Sequence, residues 1–234
     1  MFSADAVFLP GWAVPAACYR AALAPVWPGL TILDPGFFGG DDQFSVAGYE
    51  QRVMNGLRPL VAAHSLGTMF ALRAAADAPV SPRALILFSP FARFSAADDY
   101  SGRSVRDIRA MQLQLRREPK ILLDNFIKTV YRPEACPIDW TEAGAPDQAA
   151  LASGLQCLLE YDVRSYLARV RCPVLLLQGA DDAISGDGQA EYLARMLPDA
   201  ELRIVPDCGH ALPLTRPDVC VTAIQKFIDT RKVD

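Results

Sequence analysis

The chain has only two histidines, His64 and His210, and its six cysteines, at positions 18, 136, 157, 172, 208 and 220, include no C-x-x-C pair. A zinc site therefore lacks a ligand set, and neither a metal nor any other cofactor is expected. The scattered thiols read as reduced, mostly buried small hydrophobes. Even Cys208, two residues before His210, reads as a packing residue, because a reactive thiolate needs a cationic neighbour that this stretch does not supply. Long hydrophobic runs are missing as well. No stretch approaches the ~18 apolar residues of a spanning helix, and the first ten residues lack the basic and apolar regions of a secretory signal. The expectation is a soluble, cytoplasmic monomer with no membrane partner. Nor is positive charge in excess: 23 Lys and Arg stand against 27 Asp and Glu, which argues against nucleic acid as a partner. The 234 residues contain no internal repeat and no low-complexity linker.

Apolar residues, at 51%, are plentiful enough for one globular α/β domain of ordinary size carrying an insertion. Runs of strand length stand at Val7-Phe8-Leu9, Thr31-Ile32-Leu33, Leu60-Val61-Ala62, Ala84 to Phe88, Pro173 to Gln178 and Glu201 to Val205. Helical patterns fall between them, at Pro15 to Trp27, about Val46 to Leu57, Thr68 to Ala76, about Gly188 to Leu197 and Pro217 to Thr230. The alternation predicts a mostly parallel, doubly wound sheet with ligands at the carboxyl ends of its strands. The glycine-rich stretch Asp34 to Gly40 lacks the order of a phosphate-binding loop and reads as a connection. From Ala92 to Arg169 no convincing strand occurs, only helices at Val105 to Arg117, Lys120 to Tyr131 and Gln148 to Leu159. The expected division is a core of residues 1–91 and 170–234, with residues 92–169 inserted after a central strand as a helical lid.

Five residues organise the chain: Ala63-His64-Ser65-Leu66-Gly67, between an apolar strand and a helix. A serine at the apex of an abrupt strand-to-helix turn, flanked by small residues two positions either side, is the nucleophile-elbow arrangement. Side chains larger than Gly or Ala would collide there, and Ala63 in place of the usual glycine is the mildest departure. Taken alone, the pentapeptide also fits a serine that simply caps a helix. What favours catalysis is that an acid and a base follow in order. Hydrolysis by serine needs a base for the hydroxyl proton, a carboxylate behind that base and two N–H donors for the oxyanion. His64, next to the serine in a tight turn, points its side chain away, so His210, in Asp207-Cys208-Gly209-His210-Ala211 past the last strand, is the candidate base. After the preceding strand, Gly179-Ala180-Asp181-Asp182 supplies two candidate acids; Asp182 has the favoured spacing, with Asp181 the alternative. The Leu66 N–H and the Trp12 N–H, one after the nucleophile and one after the first strand, are the candidate oxyanion donors. The Trp12 ring is also a candidate wall of an acyl pocket.

With these residues placed, the chain resembles the α/β-hydrolase superfamily over nearly its whole length. Within it the likeness is to pimeloyl-[acyl-carrier-protein] methyl ester esterases of biotin biosynthesis. It rests on Leu9-Pro10-Gly11-Trp12, Asp34-Pro35-Gly36-Phe37, His64-Ser65-Leu66-Gly67, the helices around Phe126, Leu158 to Arg164, Gly179-Ala180-Asp181-Asp182 and Gly209-His210-Ala211. The resemblance implies cleavage of the methyl ester at the far end of a pimeloyl chain carried on acyl carrier protein, releasing methanol. It implies Ser65, Asp182 and His210 as the triad, Trp12 and Leu66 as oxyanion donors, and Phe126 as a lining residue of the acyl channel. Pro10 stands where most relatives carry histidine, and Asn125 stands where they carry an arginine that grips the carrier.

Between Tyr100 and Glu134, eight basic side chains face four acidic ones, reversing the overall balance. Lys120, Lys128 and Arg132 are the candidates for docking an acidic carrier protein. A general short-chain carboxylesterase, a thioesterase and a carbon–carbon bond hydrolase would use the same triad. A binding protein that merely keeps the fold would have no need of a complete one.

Overall fold

The computed structural model describes residues 6–39, 48, 59–135, 140–185 and 188–233. Among these, six strands form one all-parallel sheet: β1 (Ala6–Leu9), β2 (Leu30–Ile32), β3 (Leu60–His64), β4 (Ala84–Phe88), β5 (Val174–Gly179) and β6 (Ala200–Val205). Their order is β2-β1-β3-β4-β5-β6. Every residue of β3 and β4 is buried, which is why these two strands read as unbroken apolar runs rather than alternating ones. At the edge, β6 is only partly buried and mixes Glu201 and Arg203 with Leu202 and Ile204.

The helices are α1 (Ala16–Leu23), α2 (Leu66–Asp77), α3 (Val105–Arg117), α4 (Pro119–Tyr131), α5 (Gln148–Glu160), α6 (Gln189–Met196), α7 (Leu212–Thr215) and α8 (Pro217–Arg231). The helix expected over Pro15 to Trp27 stops at Leu23. Pro25 has no N–H to continue the ladder, and the chain leaves in a turn that brings the Trp27 N–H to the Leu23 carbonyl at 2.7 Å. The helix expected at about Val46 to Leu57 falls outside the described residues, Gly48 excepted. The short α7 was not anticipated: four residues are too few to show a period.

The growth of the sheet reverses at β1. The chain first adds β2 on one side, then returns to place β3, β4, β5 and β6 on the other. Right-handed crossovers then put α1 and α2 on opposite faces and leave a crevice at the carboxyl ends of β1 and β3. Pro10-Gly11-Trp12 and Ser65 emerge at those two ends. They are held close because α2 begins almost in contact with β1: a Cβ on Gly67 would lie 2.3 Å from the Leu9 carbonyl oxygen. Glycine is required there by the contact.

Between β4 and β5 the described residues pair only through single-residue bridges and otherwise form α3, α4, α5 and two 3-10 turns, Trp140–Ala143 and Arg164–Arg169. The helix boundaries have local causes. The Ser104 hydroxyl accepts the Asp107 N–H at 3.0 Å to start α3. Pro119 opens α4, where its missing N–H costs nothing. Asp147 accepts the N–H groups of Ala149 and Ala150 to start α5. Backbone bonds tie this segment to the loops of the core: the Asp147 N–H to the Phe37 carbonyl at 2.9 Å, the Gly39 N–H to the Ala145 carbonyl at 3.1 Å, and the Ala211 N–H to the Val130 carbonyl at 2.9 Å. No helix among the described residues is long and apolar enough to cross a membrane.

Candidate active site

Ser65 sits between β3 and α2 with φ 53° and ψ −121°, a left-handed conformation that a non-glycine residue adopts only under constraint. The constraint is visible. Its N–H is held by the Phe88 carbonyl at 3.0 Å, and its own carbonyl accepts both the Thr68 N–H and the Thr68 hydroxyl, at 2.9 and 2.6 Å. Leu66, the first residue of α2, has an N–H that helix geometry leaves without an intrahelical acceptor. Across from it the turn after β1 abuts the serine: a Cβ on Gly11 would come within 3.0 Å of the Ser65 Cβ.

His210 and Asp182 form a buried pair. Nδ1 of His210 lies 2.8 Å from Asp182 Oδ2, with 1% and 2% of the side chains exposed. Asp181, the alternative acid, is exposed, its N–H bonded to the Cys208 carbonyl. Asp182 also accepts the Ile184 and Ser185 N–H groups through Oδ1, and the Ser185 hydroxyl and the Gln178 amide through Oδ2. Burial alone would raise the Asp182 carboxyl; the facing imidazole, the Ile184 amide and the Ser185 hydroxyl outweigh it and hold the carboxyl well below the usual carboxylate range. An ionised carboxylate only accepts, so the His210 Nδ1–H donates to Asp182 and Nε2 is the ring nitrogen left on the other side. That nitrogen is buried and makes no hydrogen bond, so the Ser65 hydroxyl is not bonded to it in this structure. The loop reaches this position through two close approaches. A Cβ on Gly179 would lie 2.4 Å from the Cys208 and Gly209 carbonyl oxygens, and one on Gly209 would strike the Arg132 carbonyl.

His64 turns away from Ser65, into the core. Its Nε2 lies 2.8 Å from the His210 carbonyl and its Nδ1 2.7 Å from the Tyr19 hydroxyl. Burial first, and then the charge of His210, lowers its pKa from 6.5 to about 3. An unfolded chain therefore binds an extra proton here below about pH 6.5. The stability His64 confers is present above that pH and is lost as pH falls toward 3, at up to about 1.4 kcal/mol per pH unit. Urea unfolding between pH 6.5 and 4 should accordingly show a shallower decline for His64→Gln than for the wild type.

Trp12 is almost wholly buried, its Nε1–H donating to the Leu151 carbonyl of α5 at 2.9 Å. The ring lies so close to α5 that a Cβ on Gly154 would be 2.5 Å from Cδ1. Phe126, on α4, meets it edge-on at 4.7 Å between centroids. Phe126 also joins Phe94, Met111, Leu122 and Ile184, with the polar Arg103, Asn125 and Thr129, around a cavity of about 150 Å³. A groove of about 750 Å³ beside Val26 and Val221 contains none of these residues. Of the three candidate docking cations, Lys120 is paired with Asp124 at 2.9 Å, while Lys128 and Arg132 are exposed. Arg106, Arg109, Arg116 and Arg117, counted in the basic balance of this region but not among the three docking candidates, lie exposed on the outer face of α3 with an exposed Leu113 between them. Their spacing of three and four residues was the available signal. Burial raises the Cys208 thiol, so it is not a thiolate.

The chain matches the model of the alpha/beta hydrolase family over residues 6–223. It is 29% identical, over an alignment 251 positions long, to a pimeloyl-[acyl-carrier protein] methyl ester esterase of Edwardsiella ictaluri, covering 98% of this chain and 95% of that one. To the enzyme of the same name from Aromatoleum aromaticum it is 45% identical over 80 residues, a match spanning 34% of this chain and 32% of that relative. Among solved structures, an esterase from Exiguobacterium antarcticum superimposes with a TM-score of 0.81 at 16% identity, covering 98% of this chain and 93% of that one.

Proposed function

The chain belongs to the alpha/beta hydrolase family and is a carboxylic ester hydrolase, and from that premise we propose that Ser65, His210 and Asp182 are its catalytic triad. The observation that carries this reading is the buried His210–Asp182 pair, whose Nε2 has no hydrogen-bond partner among the described residues and whose His210 backbone carbonyl is bonded to the ring of His64, the residue before the strained serine. In the proposed reaction the Ser65 hydroxyl oxygen attacks the ester carbon while its proton passes to His210 Nε2. The oxyanion is received by the Leu66 and Trp12 N–H groups. Collapse expels the alcohol, which takes the proton from His210. Water then attacks the acyl-enzyme by the same route and releases the acid. Asp182 stays ionised throughout and stabilises the imidazolium.

The substrate proposed is the methyl ester of a pimeloyl chain on acyl carrier protein, the substrate named for the two relatives above. The mostly apolar cavity beside Phe126 suits a methylene chain, with residues 92–169 acting as its lid. Lys128 and Arg132, with Lys120 and the outer arginines of α3, offer a basic surface to an acidic carrier. The Lys120–Asp124 pair, which withdraws one of the three named cations, favours a second reading: a general short-chain carboxylesterase acting on free esters. Turnover of pimeloyl-carrier methyl ester beside free dimethyl pimelate separates the two. The first reading expects a preference for the carrier substrate that fades between 50 and 500 mM salt, roughly as the screening length shortens. Equal, salt-independent rates would establish the second.

A further inference from the structure

We infer that Tyr19 and His64 are a positioning pair that holds the base and the oxyanion loop in fixed relation to each other. This rests on the roles proposed above for His210 and for the turn carrying Trp12. The inference comes from the direction of one buried chain of hydrogen bonds. The His210 carbonyl can only accept, so His64 Nε2, 2.8 Å away, must carry the proton of that ring. Nδ1 of the same ring is then an acceptor, and the Tyr19 hydroxyl at 2.7 Å must donate to it. The hydroxyl oxygen in turn accepts the Gly11 N–H at 3.2 Å. Every link is determined by the next, and the chain runs one way, from the Gly11 amide through Tyr19 and His64 to the backbone of residue 210.

Both side chains are 0% exposed, so water cannot substitute for a missing link. The neutral state of His64 keeps the direction constant over the working range of an esterase. At the far end, the Ser89 hydroxyl makes a second bond to the same carbonyl at 3.0 Å. The carbonyl of residue 210 is thus gripped by two donors while its ring remains free to pair with Asp182. At the near end the chain grips the amide immediately before Trp12. Between the two ends sits His64, the residue before Ser65. Burying a histidine and a tyrosine to fill space alone would not need this continuity, and an apolar pair in their place would strand the Gly11 N–H.

The test is a comparison of kcat and KM for p-nitrophenyl butyrate in Tyr19→Phe, His64→Leu, His64→Gln and the Tyr19→Phe/His64→Leu double variant. Circular dichroism and Tm establish that each is folded. Tyr19→Phe should lose about 10-fold in kcat, and His64→Leu about 100-fold, with KM within about twofold of wild type in both. His64→Gln keeps an N–H for the His210 carbonyl and should recover most of the rate. The double variant should be no slower than His64→Leu alone, because one chain is broken once. Should Tyr19→Phe, the variant most certain to fold, and His64→Leu both turn over within twofold of wild type while only Tm falls, the pair merely fills the core and the inference is overturned. Ser65→Ala assayed alongside separates the two failures. An active Ser65→Ala overturns the triad and the positioning role together; an inactive one beside undiminished Tyr19→Phe and His64→Leu overturns the positioning role alone.

Discussion

Ser65→Ala should lower kcat for a p-nitrophenyl ester by about 10⁵-fold or more while leaving the protein folded. The backbone at residue 65 is held by the Phe88 carbonyl from one side and by Thr68 from the other, and none of these bonds uses the serine side chain. Alanine pays a similar steric cost at φ 53°, so the elbow survives the change. What disappears is the oxygen that, in the proposed reaction, becomes bonded to the acyl carbon. The proposed oxyanion donors belong to the backbone of Leu66 and Trp12 and remain, so a residual rate above the uncatalysed one is expected. Labelling by a fluorophosphonate probe should be lost altogether. A variant that hydrolysed the ester at the wild-type rate would remove Ser65 from the mechanism.

The second large effect is expected at Asp182. Asp182→Asn should cost about 10⁴-fold in kcat, whereas Asp181→Asn should change it less than about twofold. The asymmetry follows from the bonds each carboxylate makes. Oδ1 of Asp182 accepts two backbone N–H groups, and an asparagine oxygen can keep both. The amide nitrogen would then take the place of Oδ2, facing the His210 ring, the Ser185 hydroxyl and the Gln178 amide, all of which donate to Oδ2 in the wild type. To relieve the conflict the imidazole must move its proton to Nε2, and a protonated Nε2 cannot accept the serine proton. Asp181 is exposed and makes no comparable contact. Equal losses in the two variants would refute the assignment of the acid.

The sheet was readable because its strands are apolar runs of the right length, and α3, α4 and α5 because Ser104, Pro119 and Asp147 announce their starts. The candidate serine, histidine and acidic pair stood out through local motifs, each a few residues long. What the chain could not disclose locally was orientation. The partners of His64 lie 45 and 146 residues away, and nothing in the elbow motif says that its ring joins Tyr19 to the His210 carbonyl. Trp12 was expected near the acyl site; that its indole N–H belongs to Leu151, 139 residues on, depends on packing alone. Lys120 is a different case. Asp124 four residues later is a pairing visible in any helical reading, and it was passed over in favour of the net charge of the region.

The bond from the Ala211 N–H to the Val130 carbonyl, and the seating of Gly209 on the Arg132 carbonyl, join the inserted helices to the residues on either side of His210, the proposed base. Such segments are the obvious cassettes to exchange when an engineer wants a new acyl preference. Here the cassette has a second half. A graft of residues 92–169 taken without the 207–212 turn would orphan a backbone donor and acceptor and press a foreign carbonyl onto a glycine fitted to another, so the two pieces have to travel together.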